Sequence, residues 1–160
     1  MVAAADADEL IDGFGRSIGL RDVAFDENGG AILMFDDILT GFRHDRDKHL
    51  IAMYGPVINT AIDHDADLYA GFLELSLGWS LAGKGCAGFN RDFDLLFFVN
   101  TVSLAGLEQE RFNAFVKENL ETIETWRRYA ASGAFSGADK SPGPSAVSAT
   151  DLMGGLLKRV

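Results

Sequence analysis

The sequence predicts an α+β fold, a single domain ordered α-β-β-β-α-β-β-α with an antiparallel twisted sheet flanked by helices. Three observations predict it: an amphipathic helix at each end, a run of short strands after the first, and a strongly apolar helix leading into a second strand pair. Leu10, Phe14 and Ile18 recur four apart with Ile11 beside them, and Gly19 supplies a left-handed stop, so a helix runs from about Asp6 to Ile18. After the turn-rich DENGG come AILMF, ILTGFRH and KHLIAMY, separated by DD and DRD, which describe an antiparallel meander ended by Pro56.

The next segment, DADLYAGFLELSLGWSLAG, carries Leu68, Phe72, Leu75 and Trp79 on one stripe and Tyr69, Leu73 and Leu77 on another. A helix apolar nearly all round is buried on both sides. A domain this small rarely covers both faces itself, so the expected cover is a second copy, making a homodimer. CAGFN and FDLLFFVNTVSL follow as strands joined at Arg91 and Asp92. In LEQERFNAFVKENLETIETWRRYAA, Phe112, Phe115, Val116, Leu120, Ile123, Trp126 and Ala130 step by three and four, and early glutamates with late Arg127 and Arg128 suit the helix dipole. The predicted domain is therefore 1–133. Residues 134–160 are expected to form a flexible tail rich in Gly, Ser, Pro and Ala, because such a composition buries too little to offset about 1–2 kcal/mol of backbone entropy per residue. Within that tail DLMGGLLKRV has some amphipathic character, with no function assigned.

A chain of 160 residues, 48% hydrophobic, has the material for one real core. Its formal net charge of -10, with scattered basic residues, argues against nucleic acid as a partner and favours a basic or neutral one. Cys86 is the lone cysteine, so neither an intramolecular disulfide nor a thiolate zinc site is expected. Acidic residues replace the basic start of a signal peptide, and no stretch approaches the roughly 20 apolar residues of a membrane span. The expectation is a cytoplasmic protein without membrane attachment.

The motifs that suggest chemistry have simpler readings. GWSLAGKG, Gly78 to Gly85, fits most of a phosphate-binding loop, yet Gly85 stands where a magnesium-binding hydroxyl is needed. The stretch also leads from a helix into a strand, the reverse of what places a helix N-terminus against phosphates; it reads as a helix C-cap and turn. Placing Gly29 at the sixth position of a calcium loop puts Ala24 first and Phe35 twelfth, where ligands are required, so DENGG reads as a hairpin-type turn. His44 and His49 flank a turn without a third ligand, and the run Asp63, His64, Asp65 reads as a helix start. No nucleophile elbow surrounds a serine, and Asp36 and Asp37 are ordinary turn carboxylates. No catalytic residue, metal or cofactor is expected, and the chain reads as non-enzymatic.

Over roughly Asp8 to Ala130, the order of elements and several local sequences resemble the class I type III secretion chaperones, the Tir-chaperone family of small acidic homodimeric proteins. The matching stretches are SIGL (Ser17 to Leu20), ILMFDD (Ile32 to Asp37), LELSLGWSLAGKGCAGFN, VSLAGL (Val102 to Leu107) and FVKENLETIETWRR. The resemblance implies a homodimer that binds an extended N-terminal segment of a secreted effector, keeping it soluble and export-competent without hydrolysing ATP. It places the dimer interface on the second helix and the following strand, at Leu68, Phe72, Leu75, Trp79 and Phe89. It places effector binding on the first helix and the outer sheet face, at Ile11, Phe14, Ile18, Leu33, Phe35, Leu39 and Phe42. Each of these has the monomer core as its alternative, and alternation sends about half of the strand residues there, the register deciding which. A dimeric adaptor of similar fold with no role in secretion, and a nucleotide enzyme built on Gly78 to Lys84, are the competing readings.

Overall fold

The computed structural model describes residues 4–57, 66–92 and 95–133. The Asp63 to Asp65 run and the predicted tail from 134 onward lie outside the described residues. The elements are α1 (Ala7–Ser17), β1 (Gly30–Phe35), β2 (Ile38–Asp45), β3 (Leu50–Pro56), α2 (Ala66–Leu81), β4 (Cys86–Asn90), β5 (Leu95–Ser103) and α3 (Gln109–Ala131). This is the α+β order that the sequence predicts.

Local chemistry explains the boundaries. The Asp6 carboxylate accepts hydrogen bonds from the Asp8 and Glu9 N–H groups, capping α1, and Gly19 in the left-handed region closes it with Leu20 N–H donating to the Gly15 carbonyl. DENGG is a turn: the Asp26 carboxylate accepts from Asn28 and Gly30 N–H, both at 2.8 Å.

The strands pair antiparallel throughout in the order β1-β2-β3-β5-β4. The segment containing α2 carries the chain past β5 to the far edge, and β4 returns into β5. Both β1 and β4 are therefore edge strands. The register sends Leu33, Phe42, Met53 and Phe98 to one face, where they are buried, and Ile32, Met34, Leu39, Tyr54, Phe97 and Val99 to the other.

All three helices pack on the first face. Leu10, Ile11 and Phe14 of α1 enter the core there, with Phe14 5.9 Å from Phe35 and 6.3 Å from Phe112 between ring centroids. Helix α3 lies across the middle of the sheet and approaches β3 closely at Gly55, where an added Cβ would come 2.8 Å from Ile123 Cδ1. Trp126 of α3 is fully buried, with ring centroids 5.8 Å from Phe72, 6.0 Å from Trp79 and 5.2 Å from Phe98. One side chain thus joins α3 to α2 and to the sheet. A polar bridge joins the same two layers nearby: Asn100 Nδ2 donates to Asn119 Oδ1 at 2.9 Å, while Asn119 Nδ2 donates to the Phe115 carbonyl at 2.7 Å.

Two substitutions measure these ties. Trp126→Ala is expected to lower stability by about 3–5 kcal/mol. Asn119→Ala, which strands the Asn100 amide, should cost about 1–3 kcal/mol. Urea unfolding followed by far-UV circular dichroism checks both, and a smaller loss from Trp126→Ala than from Asn119→Ala would show that the aromatic cluster does not hold the layers together.

Candidate partner-binding surfaces

Two apolar surfaces remain exposed among the described residues, and each follows from the packing just described. The first is the outer face of the sheet. Four of the five strands contribute apolar side chains to it at alternate positions: Ile32 and Met34 from β1, Leu39 from β2, Tyr54 and Pro56 from β3, Phe97 and Val99 from β5. No helix of the described residues lies over this face, leaving Ile32 67% and Met34 65% exposed. The Tyr54 ring lies across Gly41, which has no Cβ to hold it off, and its centroid is 6.3 Å from that of Phe97. The result is a groove of about 590 Å³ between the β1–β2 hairpin and β4.

The second surface belongs to α2. Phe72, Ser76 and Trp79 turn toward Trp126 and the sheet, and a helix advances 100° per residue, so Leu73, Leu77 and Leu81 fall on the outward side. They are 67%, 54% and 56% exposed. Beside them Phe89 of the edge strand β4 stands edge-to-face against Tyr69 at 5.8 Å, and a smaller groove of about 400 Å³ runs between helix and strand.

The expected effector-binding residues divide between surface and core. Ile11, Phe14, Leu33 and Phe42 are buried inside the monomer, because the apolar face of α1 docks on the inward face of β1 and β2. A partner does not reach them without displacing α1. Phe35 is half-buried and also points inward, against Phe14. Only Ile18, at the end of α1, and Leu39, on the outer face, are exposed. The side chains that face the exposed outer side of the sheet are the alternate ones, Ile32, Met34, Tyr54, Phe97 and Val99. Their signal is present in AILMF and LLFFV, which are apolar at both parities and therefore apolar on both faces.

The expected dimer residues divide in the same way. Phe72 is fully buried, and Trp79, Leu68 and Leu75 pack partly buried against the core. Large rings fill the gap between sheet and α3 better than leucines do, so the aromatic stripe turned inward. Phe89 alone of the five is exposed, and the outward residues come from the other stripe, Leu73 and Leu77, continued by Leu81.

The glycine-rich stretch at Gly78 to Gly85 is the end of α2 and the turn into β4. Gly83 adopts φ 67°, and the Lys84 N–H donates to the Trp79 carbonyl at 2.9 Å, closing the helix. Lys84 Nζ lies 5.5 Å from the Trp79 ring centroid, a cation–π contact within its own helix end. At Gly85, φ 103° and an added Cβ 2.6 Å from the Val99 carbonyl both demand glycine. Among the described residues, two histidines lie apart from both surfaces: His44 faces inward beside Phe25, with ring centroids 5.6 Å apart, and His49 occupies the β2–β3 turn at φ 51°. Among the described residues no cluster of three His, Cys, Asp or Glu side chains could hold a metal ion, and no helix is long and apolar enough to cross a membrane.

One ion pair ties the back of the molecule to the outer surface. Arg127 of α3 donates to both carboxylate oxygens of Asp37 in the β1–β2 turn, at 3.2 and 2.5 Å. These hydrogen bonds hold the guanidinium pKa above its ordinary value. The C-terminal end of α3 is thereby fastened beside the hairpin that carries Met34 and Leu39.

Known proteins share this arrangement. In fold the chain is similar to a chain of the ExsC-ExsE complex, with TM-score 0.70 at 20% identity, over 80% of this chain and 96% of that one. It is similar also to a chain of the HopA1-SchA chaperone-effector complex, with TM-score 0.61 at 20% identity, over 74% and 91%. A third likeness is to the structure of the Yersinia pestis type III secretion chaperone SycH with a fragment of YscM2, with TM-score 0.57 at 14% identity, over 74% and 98%. No curated protein sequence matches the chain. The model of the Tir chaperone protein (CesT) family matches residues 9–127, from the first turns of α1 to Arg127 of α3, and the chain belongs to that family.

Proposed function

We propose that this protein is a non-enzymatic secretion chaperone, a homodimer that holds an extended N-terminal segment of a secreted effector and keeps it export-competent without hydrolysing ATP. The observation that carries this reading is the bare apolar outer face of the sheet, bounded by the open edge of β1. An extended segment can lay alternate side chains into the groove at Ile32, Leu39, Tyr54 and Phe97, or add to an edge by main-chain hydrogen bonds. Ordering such a segment costs free energy, so a long contact is needed to offset it. Membership of a chaperone family supports the reading, as do the fold likenesses to chains from chaperone complexes.

Dimerisation is read from the second surface. Leu73, Leu77 and Leu81 lie beside the edge strand β4 and Phe89, so one continuous apolar strip is available to a second copy. With this strip covered, the outer sheet face stays open in both subunits.

These assignments make three predictions. Co-expression with the products of neighbouring genes, followed by limited proteolysis, should yield a complex in which an N-terminal segment of one secreted protein is protected. A partner protected only as a folded domain would favour an adaptor instead. Ile32→Asp with Leu39→Asp should weaken that complex about tenfold or more, a loss of about 1.4 kcal/mol or greater read by calorimetry. Leu73→Asp with Leu77→Asp should convert a dimer to a monomer by light scattering, and a dimer that survives both changes would remove α2 from the interface.

A further inference from the structure

We infer that Gly88 is a specificity-determining residue of the outer-face groove, and that the segment bound there carries an aromatic side chain whose ring lies over this glycine. The inference rests on the reading of that groove as the effector surface and names the chemistry the groove selects.

The outer face holds two cross-strand pairs of one kind, a glycine opposite an aromatic residue: Gly41 with Tyr54, and Gly88 with Phe97. A glycine in a sheet bares its backbone, and an aromatic ring from the neighbouring strand can cover it. At Gly41 the chain does this for itself, since an added Cβ would fall into the Tyr54 ring. At Gly88 it does not. Apart from the chain neighbours of Gly88, the only described atom within 4 Å of an added Cβ is Val99 Cγ2, at 3.7 Å, and Phe97 contributes none. The Phe97 ring stands edge-to-face against Tyr54 instead, with centroids 6.3 Å apart. The backbone of Gly88 is left bare beside an aromatic wall.

Nothing in the fold asks for glycine at this position. Gly88 is the middle residue of β4, in unbroken register with β5, and its φ lies outside the left-handed region. A contact at 3.7 Å is ordinary van der Waals distance, so a side chain fits there. Gly85 is the contrast, since its φ and the nearby Val99 carbonyl both require glycine. Glycine inside a strand weakens it, and where no bulge or bend accounts for it, it marks a place that another molecule approaches closely.

Charge complementarity and shape fix the occupant. None of the residues lining the groove is charged, although 24% of the chain is Asp, Glu, Lys or Arg, so the site fits an uncharged side chain. A flat ring can rest on the Gly88 backbone while its edge meets the face of Phe97; a leucine offers neither the flat side nor the ring edge. The groove of about 590 Å³ has room for the flanking side chains of an extended segment as well. Gly88 also borders the smaller groove beside α2, so a second copy is the rival occupant to be excluded.

The test uses the isotope-labelled full chain and two probes, N-acetylphenylalanine amide and N-acetylleucine amide. The phenylalanine probe should shift the amide resonances of Gly88, Phe97 and Val99 saturably, at severalfold lower concentration than the leucine probe. Gly88→Ala should weaken its binding and Gly88→Val should remove it, while both variants unfold in urea at or above the midpoint of the unaltered chain. Equal binding of the two probes, or binding that survives Gly88→Val, overturns the inference. A midpoint well below that of the unaltered chain does the same, because the fold itself would then require the glycine. So does a Gly88 resonance that moves on dilution of the protein and not with probe, the mark of a second copy at this place. In a second arm, Gly88→Val should weaken the protected effector complex about tenfold or more. An effector segment held equally by both chains overturns the inference and leaves the chaperone reading intact. Probe binding lost in Gly88→Val, with no protected segment from any partner, keeps the aromatic subsite and removes the chaperone reading.

Discussion

The Trp126 ring sets the rotation of α2, and much of the exposed surface follows from that rotation. Helix α2 lies at one end of the sheet, against the short edge strand β4, and is apolar on every side. Nothing in its own pattern chooses which side turns inward. The choice is made by a partner: Trp126 offers an aromatic surface to Phe72 and Trp79, and Phe98 completes the cluster from β5. Edge-to-face and tilted ring contacts contribute about 0.5–1.5 kcal/mol each beyond burial, which three leucines without rings cannot match. Once those two rings turn inward, Leu73, Leu77 and Leu81 are committed to the surface.

The second constraint is the one-sided covering of the sheet. Three helices are enough to bury one face of five strands, and residues 4–133 supply no fourth layer where they are described. The other face is nevertheless built from residues that favour burial. A fully buried leucine or phenylalanine contributes about 1.5–3 kcal/mol relative to an exposed one, so each side chain left on that face holds free energy that only association can release. The architecture suits a protein whose work is to cover another chain.

Much of the fold was legible because its signals are local. The periodicity of α1 and α3, Asp6 as a cap and Gly19 as a stop all act within a few residues of the boundary they set. The glycines at Gly78 to Gly85 were legible from order alone, since a helix precedes them and a strand follows. Which face of β1 looks outward was not legible: Ala31 to Phe35 are all apolar, and a shift of one residue exchanges the sets Leu33, Phe35 and Ile32, Met34. That decision belongs to α1, whose Phe14 and Leu10 need partners on one side only. The same reasoning accounts for α2, where the two stripes were recognised but their destinations depended on a tryptophan some fifty residues later.

The aromatic cluster also determines what light can report about this molecule. Trp79 and Trp126 are the chain's two tryptophans, and their rings lie 6.0 Å apart, close enough for excitation to pass between them. Lys84 places its ammonium over one of them. Intrinsic emission is therefore a gauge of the α2–α3 junction, sensitive to α2 lifting away and nearly blind to anything laid on the far side of the sheet. That side carries its own chromophore in Tyr54, which lies across Gly41 in the groove itself.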